Sequence, residues 1–392
     1  MAARLKVLHV ITRLILGGAQ ENTLFTVEGL NKDEYEVTLA TGPAIGPEGS
    51  LVQRAGQADI NLVIIPQMRR AVNPVLDLIS FFKLYGLIKK NKYAIVHTHS
   101  SKAGILGRWA AKLAKTRVII HTIHGLPFYK YQNKSLNWLY IFLEKITAKI
   151  THKIIVVADA MTQQCLDVKI AGADKFITIH SGIEIEKFAN STIDIRQLKV
   201  RLGIPPEALV IGKIARLSPM KGHEYLIEAA REVVKKIPQT RFLLVGDGIL
   251  REDLMNQIQQ AGLKNNFVFT GLIAPEKIPE VIQAMDILVH VSLREGLARA
   301  LPQALASAKP VISFDVDGAR EVVINDKTGY LIPAKDKTLL AEKMIYLLSN
   351  PETACKMGSA GQELVEKSFK VENMVSDIEE VYKKAIAGDI LC

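Results

Sequence analysis

A chain of 392 residues is two to three times a typical domain, so two domains are expected, and a hydrophobic content of 48% is enough to bury their cores. No run of about 18 apolar residues is present to span a bilayer, and three widely spaced cysteines (Cys165, Cys355, Cys392) exclude a disulfide framework and a thiolate metal site and fit a reducing cytoplasm. The net charge of +10 lies in the first half: residues 1–190 carry 24 Lys+Arg against 14 Asp+Glu, and residues 191–392 carry 26 against 26.

Residues 6–11 (KVLHVI) form a short apolar run of the kind that builds a buried parallel strand, so the chain begins directly with a strand-like segment and no secretory signal is expected. A loop over residues 12–18 and helical spacing over 19–30 follow. The pair Gly17-Gly18 lets backbone approach a ligand, or simply makes the turn that folding needs; it lacks the third glycine of a dinucleotide fingerprint. Further strands are predicted at residues 36–40, 61–65, 94–97, 118–121 and 153–157, with helical stretches between them, which indicates a parallel sheet with crossover helices. His97, His99, His121 and His124 are expected at strand ends, where open α/β sheets bind ligands. They have the nitrogens for a metal cluster, but no Cys or carboxylate completes a set.

Between Asp77 and Glu144 there are eleven basic residues and no acidic one. A solvated face is the plain reading; an anionic membrane surface or a diphosphate-bearing substrate also fits, and no base-reading or stacking motif supports nucleic acid. Residues 128–153 mix Tyr, Trp and Phe with Lys before turning helical, which suits either a membrane interface or a helix packed on the sheet.

Turn residues after Ser181 and the pair Pro205-Pro206 interrupt the alternation and mark a domain boundary, drawn at 185/186. A second alternating unit opens with a strand over residues 209–215, then Arg216, Lys221-Gly222 and a helix from His223 through Lys236. Arg offers a forked donor set and Lys a point charge, a pair suited to two phosphates. Residues 242–245 lead into Gly246-Asp247-Gly248, and 268–272 form the next strand and turn. An apolar run over 286–292 ends near Glu295; Gly296 breaks it and an Ala/Leu-rich segment follows, predicting a helix N-terminus at Gly296 able to hold a phosphate beside a carboxylate that accepts from hydroxyls.

These segments resemble the motifs of the retaining glycosyltransferases of family 4, most closely over residues 211–333, where four motifs occur in the family's order. The resemblance implies α/β architecture of the GT-B kind: two doubly wound parallel-sheet (Rossmann-like) domains facing across a cleft, residues 1–185 on the acceptor side and 186–370 on the donor side, with a helix in 371–392 crossing back. It implies catalytic roles for Glu295, His124, Arg216 and Lys221. Donor contacts are implied for Gly17, Gly18, Arg216, Lys221, Gly246, Leu272, Ile273, Glu295, Gly296, Leu297, Ala298 and Gln303. Glu295 matches the first glutamate of the family's paired-glutamate motif, which contacts the donor sugar; Gln303 stands where the second contacts the ribose, and a neutral amide accepts less than a carboxylate. His124 matches the histidine that approaches the sugar. Asp315-Val316-Asp317 has the form of the metal-binding D-x-D of the unrelated GT-A enzymes, but resembles instead the family loop that ends at Glu321. Thr328-Gly329-Tyr330-Leu331 closes the set.

The implied reaction moves a sugar from a nucleotide diphosphate sugar, UDP-linked by expectation, to a lipid-linked or polysaccharide acceptor in cell-envelope glycan synthesis. Neither metal nor cofactor is expected, and the basic half suggests a peripheral position on the cytoplasmic face of the membrane. The alternatives are a nucleotide-sugar-binding protein with weak or no turnover, motivated by Gln303, and a soluble transferase or phosphorylase with a small acceptor.

Overall fold

The computed structural model describes residues 4–46, 49–58, 60–189 and 193–388. Cys392 and the last residues of the predicted crossing-back segment lie outside them. The chain forms two compact units, residues 1–182 with 371–392 and residues 183–370.

Unit 1 is built on seven parallel strands: β1 (Leu5–Ile11), β2 (Tyr35–Thr41), β3 (Asn61–Ile64), β4 (Ile95–His99), β5 (Val118–Ile123), β6 (Lys153–Val156) and β7 (Phe176–Thr178), in the order β3-β2-β1-β4-β5-β6-β7. Apolar runs make the central strands, because a sheet covered by helices on both faces buries most of their side chains, while the edge strand β3 leaves Asn61 and Ile64 exposed. Val7, Leu8, Val10, Ile95, Val96 and Ile120 are fully buried. The helix Val371–Ala387 belongs to this unit: Met374, Val375, Ile378, Val381 and Tyr382 form its buried stripe and join the core made by Val7, Phe25, Tyr35 and Ile95.

Unit 2 has six parallel strands, β8 (Val210–Ile214), β9 (Arg241–Val245), β10 (Phe267–Gly271), β11 (Ile287–His290), β12 (Val311–Phe314) and β13 (Gly329–Ile332), in the order β10-β9-β8-β11-β12-β13. In each sheet the strand order reverses once, between β1 and β4 and between β8 and β11. At such a switch point the loops leaving two neighbouring strands diverge, which opens a crevice at the carboxyl ends.

A helix beginning at Gly296 is not formed. The helix runs from Ala300 to Ala306, with Arg299 before it. Pro302 is the cause: as the third helical residue it needs no intrahelical partner, whereas a helix started at Gly296 would carry it in its interior, without a donor and against a carbonyl. The histidines need correction too. His97 lies within β4 and His121 within β5, His99 ends β4, and only His124 lies beyond a strand.

Candidate active site

The site features of unit 2 gather at its switch point. After β8 the chain passes Arg216, which is exposed, and reaches Met220-Lys221-Gly222. Gly222 has φ 68° and its position for a Cβ is 1.8 Å from the carbonyl oxygen of Val291, so only glycine allows this loop to sit against the segment leaving β11. Met220 O accepts the Leu293 N–H at 2.8 Å from the same segment. Lys221 is thereby brought to Glu295: Nζ and Oε1 are 2.5 Å apart, and both side chains are largely buried. His290, the last residue of β11, places Nε2 3.0 Å from the same oxygen.

Burial alone would raise the Glu295 carboxyl, but the charge of Lys221 and the hydrogen bonds of His290 and Lys221 overcome it and hold the group well below the usual carboxylate range. Burial lowers the His290 pKa. The imidazole is therefore neutral and acts as a hydrogen-bond donor, while Lys221 supplies the charge. Lys213, inside β8, is 1% exposed and its ammonium has no hydrogen-bond partner among the described residues. Burial, then the nearby Lys221 charge, lower its pKa to about 7.

Residues 295–299 form an irregular loop held by the segment after β12. Asp317 Oδ2 accepts the Glu295 N–H at 2.6 Å, and Gly296 O accepts the Gly318 N–H at 3.3 Å. The Glu295 N–H, just before the expected helix start at Gly296, is thus committed to Asp317. Gly296, Leu297 and Ala298 are buried. Gln303 is half-buried on the short helix beyond. Asp315 holds the Arg320 guanidinium in two hydrogen bonds of 2.5 Å, so both aspartates of the D-x-D stretch have structural partners. Gly246, at φ 136°, would place a Cβ 2.2 Å from Ala215 O, and its N–H donates to Gly271 O at 3.0 Å. This seats the 246–248 turn against the end of β8 and the start of the loop carrying Leu272, which is exposed, and Ile273, which is half-buried.

Unit 1 has a cavity of about 220 Å³ at the carboxyl ends of its strands, lined by Ala19, Ser100, His121, His124, Gly125 and Glu144 among others. Gly17 caps and Gly18 begins the helix Gly18–Gly29, directly before Ala19. Glu144 is ion-paired at 2.9 Å to the fully buried Arg108. His124 Nε2 lies 3.1 Å from His99 Nδ1, and behind it follows a buried cluster of His9, His97 and Tyr382. The rings of His9, His97 and His99 bring ligand-type nitrogens within 4.8 Å of one another. Hydrogen bonds account for that closeness, since both nitrogens of His9 and of His97 have partners.

Sequence reading missed His9, Lys213, His290 and Tyr382, and named Asp317 without its bond to the Glu295 N–H. The signal for three of them is a lone polar residue inside an apolar strand-like run: such a group is buried and requires a partner or a perturbed charge.

Unit 1 also carries apolar residues where a surface helix is normally polar. The helix Pro74–Asn91 exposes Val75 (67%), Leu78, Ile79 and Phe82 (59%) at i, i+3, i+4 and i+7. The helix Lys134–Ala148 exposes Trp138 (66%), Leu139 and Phe142, the two aromatic rings stacked with centroids 5.4 Å apart. Both helices pack beside the helix Ser101–Leu113, and the exposed Lys83, Lys130 and Lys134 accompany them. No helix among the described residues is long and apolar enough to cross a membrane.

Residues 16–187 match the family pattern described as Glycosyltransferase Family 4, and residues 194–364 the one described as Glycosyl transferases group 1. Over 384 residues the chain is 30% identical to UDP-Gal:alpha-D-GlcNAc-diphosphoundecaprenol alpha-1,3-galactosyltransferase of Escherichia coli, with 97% of each chain covered. It is 28% identical to the putative glycosyltransferase EpsD of Bacillus subtilis, over 81% of this chain and 83% of that one. The solved structure of Anabaena HepE in complex with UDP-glucose, 22% identical, is similar with a TM-score of 0.84 over 97% of this chain and 100% of that chain. The two Rossmann-like units, the order of their strands and these similarities lead to one conclusion: the chain belongs to glycosyltransferase family 4 and has the GT-B fold.

Proposed function

We propose that the protein transfers a sugar from a UDP-sugar, with retention at the anomeric carbon, to a saccharide carried on a lipid diphosphate, at the inner face of the cell membrane during envelope polysaccharide assembly. The observation that carries this reading is the Lys221–Glu295–His290 group at the unit 2 switch point, an ionised carboxylate and an ammonium held together where an open α/β sheet binds ligands. Lys221 and the exposed Arg216 meet the charge of the departing diphosphate, which is the main demand of such a transfer and is met without a metal or cofactor. Glu295 accepts hydrogen bonds from sugar hydroxyls, and His124, in unit 1, keeps the sugar-approaching role that the family resemblance implies for it. Gly17 and Gly18 allow backbone approach, Gly246, Leu272 and Ile273 border the nucleotide, and Gly296, Leu297, Ala298 and Gln303 complete the donor contacts. The leaving phosphate takes the acceptor proton, so no side chain is assigned as general base.

The lipid acceptor is supported by the name of the Escherichia coli relative, which specifies a diphosphoundecaprenol substrate. It is supported also by the apolar stripes of unit 1, whose rings and flanking lysines suit the headgroup region of an anionic bilayer. Gln303 favours one other reading, a donor-binding protein with little turnover, because the ribose then meets an amide in place of a carboxylate.

The test incubates the purified protein with UDP-galactose, UDP-glucose or UDP-N-acetylglucosamine, a synthetic N-acetylglucosaminyl diphospholipid and a chelator. An α-linked product from one donor is expected. A β-linked product would overturn retention, and UDP binding without transfer to any acceptor would favour the binding protein.

A further inference from the structure

The cavity of unit 1 has a buried carboxylate in its wall. Glu144, on the helix Lys134–Ala148, lines it although the residue is only 5% exposed. Its Oε2 accepts from Arg108 Nη2 at 2.9 Å, and its Oε1 has no hydrogen-bond partner among the described residues. Arg108 is fully buried and further held by its own donors: Nε to Gly104 O at 2.9 Å and Nη1 to Thr151 Oγ1 at 3.4 Å. A guanidinium keeps its charge and only donates. The carboxylate that balances it is therefore fixed in orientation, with its second oxygen left over.

The rest of the wall mixes polar and apolar groups. His121 packs against Gly104, where a Cβ would come within 2.5 Å of its Cε1, and its Nδ1 is 2.9 Å from Thr98 Oγ1. Ser101 adds a hydroxyl, and Ile123 and Pro127 add apolar surface. The volume of about 220 Å³ is below the roughly 300 Å³ at which sites for drug-sized ligands begin, so the space suits a single sugar ring and not an oligosaccharide. Charge narrows the class further. The pair presents an acceptor oxygen to the cavity, which takes an O–H or N–H donor and repels an anion, while Arg108 cancels the net charge that would hold a cation.

We propose that this cavity binds one uncharged pyranose ring, with Glu144 Oε1 accepting from a ring hydroxyl, and that Glu144 thereby rejects sugars that carry a carboxylate. The site lies within unit 1 alone. Its use in catalysis rests on the glycosyl-transfer reading above; its binding of a sugar does not. The ring comes from the acceptor saccharide or from the donor, and the chemistry is the same for both. In Glu144→Gln the amide oxygen must face Arg108, so the cavity meets an NH2 in place of an acceptor. A neutral ring then loses a charge-assisted hydrogen bond, and a uronate gains a donor. Gly125→Trp puts an indole at the cavity wall without touching the ion pair; a Cβ at Gly125 meets no atom within 4 Å, so the fold accommodates it.

The experiment is saturation-transfer NMR of the full chain, without nucleotide, with methyl N-acetyl-α-glucosaminide and with methyl α-glucuronide. Wild type is expected to bind the first with a dissociation constant on the order of 1–10 mM, as one ring allows, and the second about tenfold or more weakly. In Glu144→Gln that preference should shrink about tenfold or more, and Gly125→Trp should remove binding of both. Equal binding of the two glycosides by wild type, no saturation by the neutral one, or full binding in Gly125→Trp would overturn the site even if Glu144→Gln does not fold. In transfer assays with Gly125→Trp, a higher KM for the acceptor assigns the ring to the acceptor and a higher KM for the UDP-sugar assigns it to the donor; if neither rises, the site has no part in the reaction. Glycoside binding without any transfer would sink the transfer reading and leave the sugar site standing.

Discussion

The Lys221 ammonium and the Glu295 carboxylate meet at 2.5 Å, and the contacted oxygen also accepts from His290. The three groups act as a unit, so removal of one leaves the others buried without their partner. Lys221→Met and Glu295→Gln are each expected to lower kcat/KM by about 10- to 150-fold, the value of one charge-assisted hydrogen bond. The double variant should lose little more than either, as measured by a double-mutant cycle; fully additive losses would show that the two residues act separately.

Acid should weaken the same unit. The folded pKa of Glu295 lies below its ordinary value of 4.5, so through that window the unfolded chain binds the proton more readily than the native state. The stabilisation is complete above about pH 4.5 and is lost as the pH falls through the folded value. Urea unfolding is expected to show Glu295→Gln less stable than wild type at pH 7, with the gap narrowing by pH 3.

Lys213 works in the opposite sense. Its pKa falls from 10.5 to about 7 on folding, so below pH 7 the native state carries a buried unpartnered charge, and between those values the unfolded chain alone holds the proton. Stability from this group therefore rises with pH across that window. Lys213→Met is expected to stabilise the protein at pH 6, by at most about 5 kcal/mol, with the advantage shrinking toward pH 10. A variant less stable than wild type at pH 6 would mean that Lys213 has a partner such as bound anion in solution.

Calorimetric titration with UDP, GDP and ADP in the presence of a chelator is expected to give saturable binding of UDP, weakened about 10- to 150-fold in Arg216→Ala. Gln303→Glu distinguishes an adapted site from a decayed one. Little change in transfer is expected for an adapted site, and a large gain from a barely detectable rate would mark a decayed one.

The exposed stripes of unit 1 should govern membrane attachment. Phe82→Glu and Trp138→Glu change solvent-facing side chains, so thermal stability should stay within about 0.5 kcal/mol of wild type. Flotation with anionic liposomes is expected to fall about tenfold or more when the two are combined, and equal flotation of wild type and variant would exclude these helices as the contact.

Most strands were legible because their signal is local: an apolar run bounded by turn residues, as at residues 6–11 and 242–245. The Arg216 and Lys221 loop and the 246–248 turn were readable for the same reason. Reading failed where the cause lay elsewhere in the chain. The helix expected at Gly296 was displaced by Pro302, a local signal given too little weight, and by Asp317, a distant one. His9 lay hidden in an apolar run and Tyr382 in an amphipathic helix, and the two are 373 residues apart in sequence although 3.1 Å apart in the fold. No periodicity records such a pair.

The return of the chain to unit 1 has a consequence for its synthesis. A ribosome that has made residues 1–182 has made all seven strands of the first sheet, but not the helix Val371–Ala387 that covers Val7, Phe25 and Ile95 and supplies Tyr382. Unit 2 is contiguous from residue 183 to residue 370 and can close while translation continues. Unit 1 must wait for that helix with an apolar face uncovered, so chains cut short between residues 370 and 371 would have a finished second unit and an aggregation-prone first one.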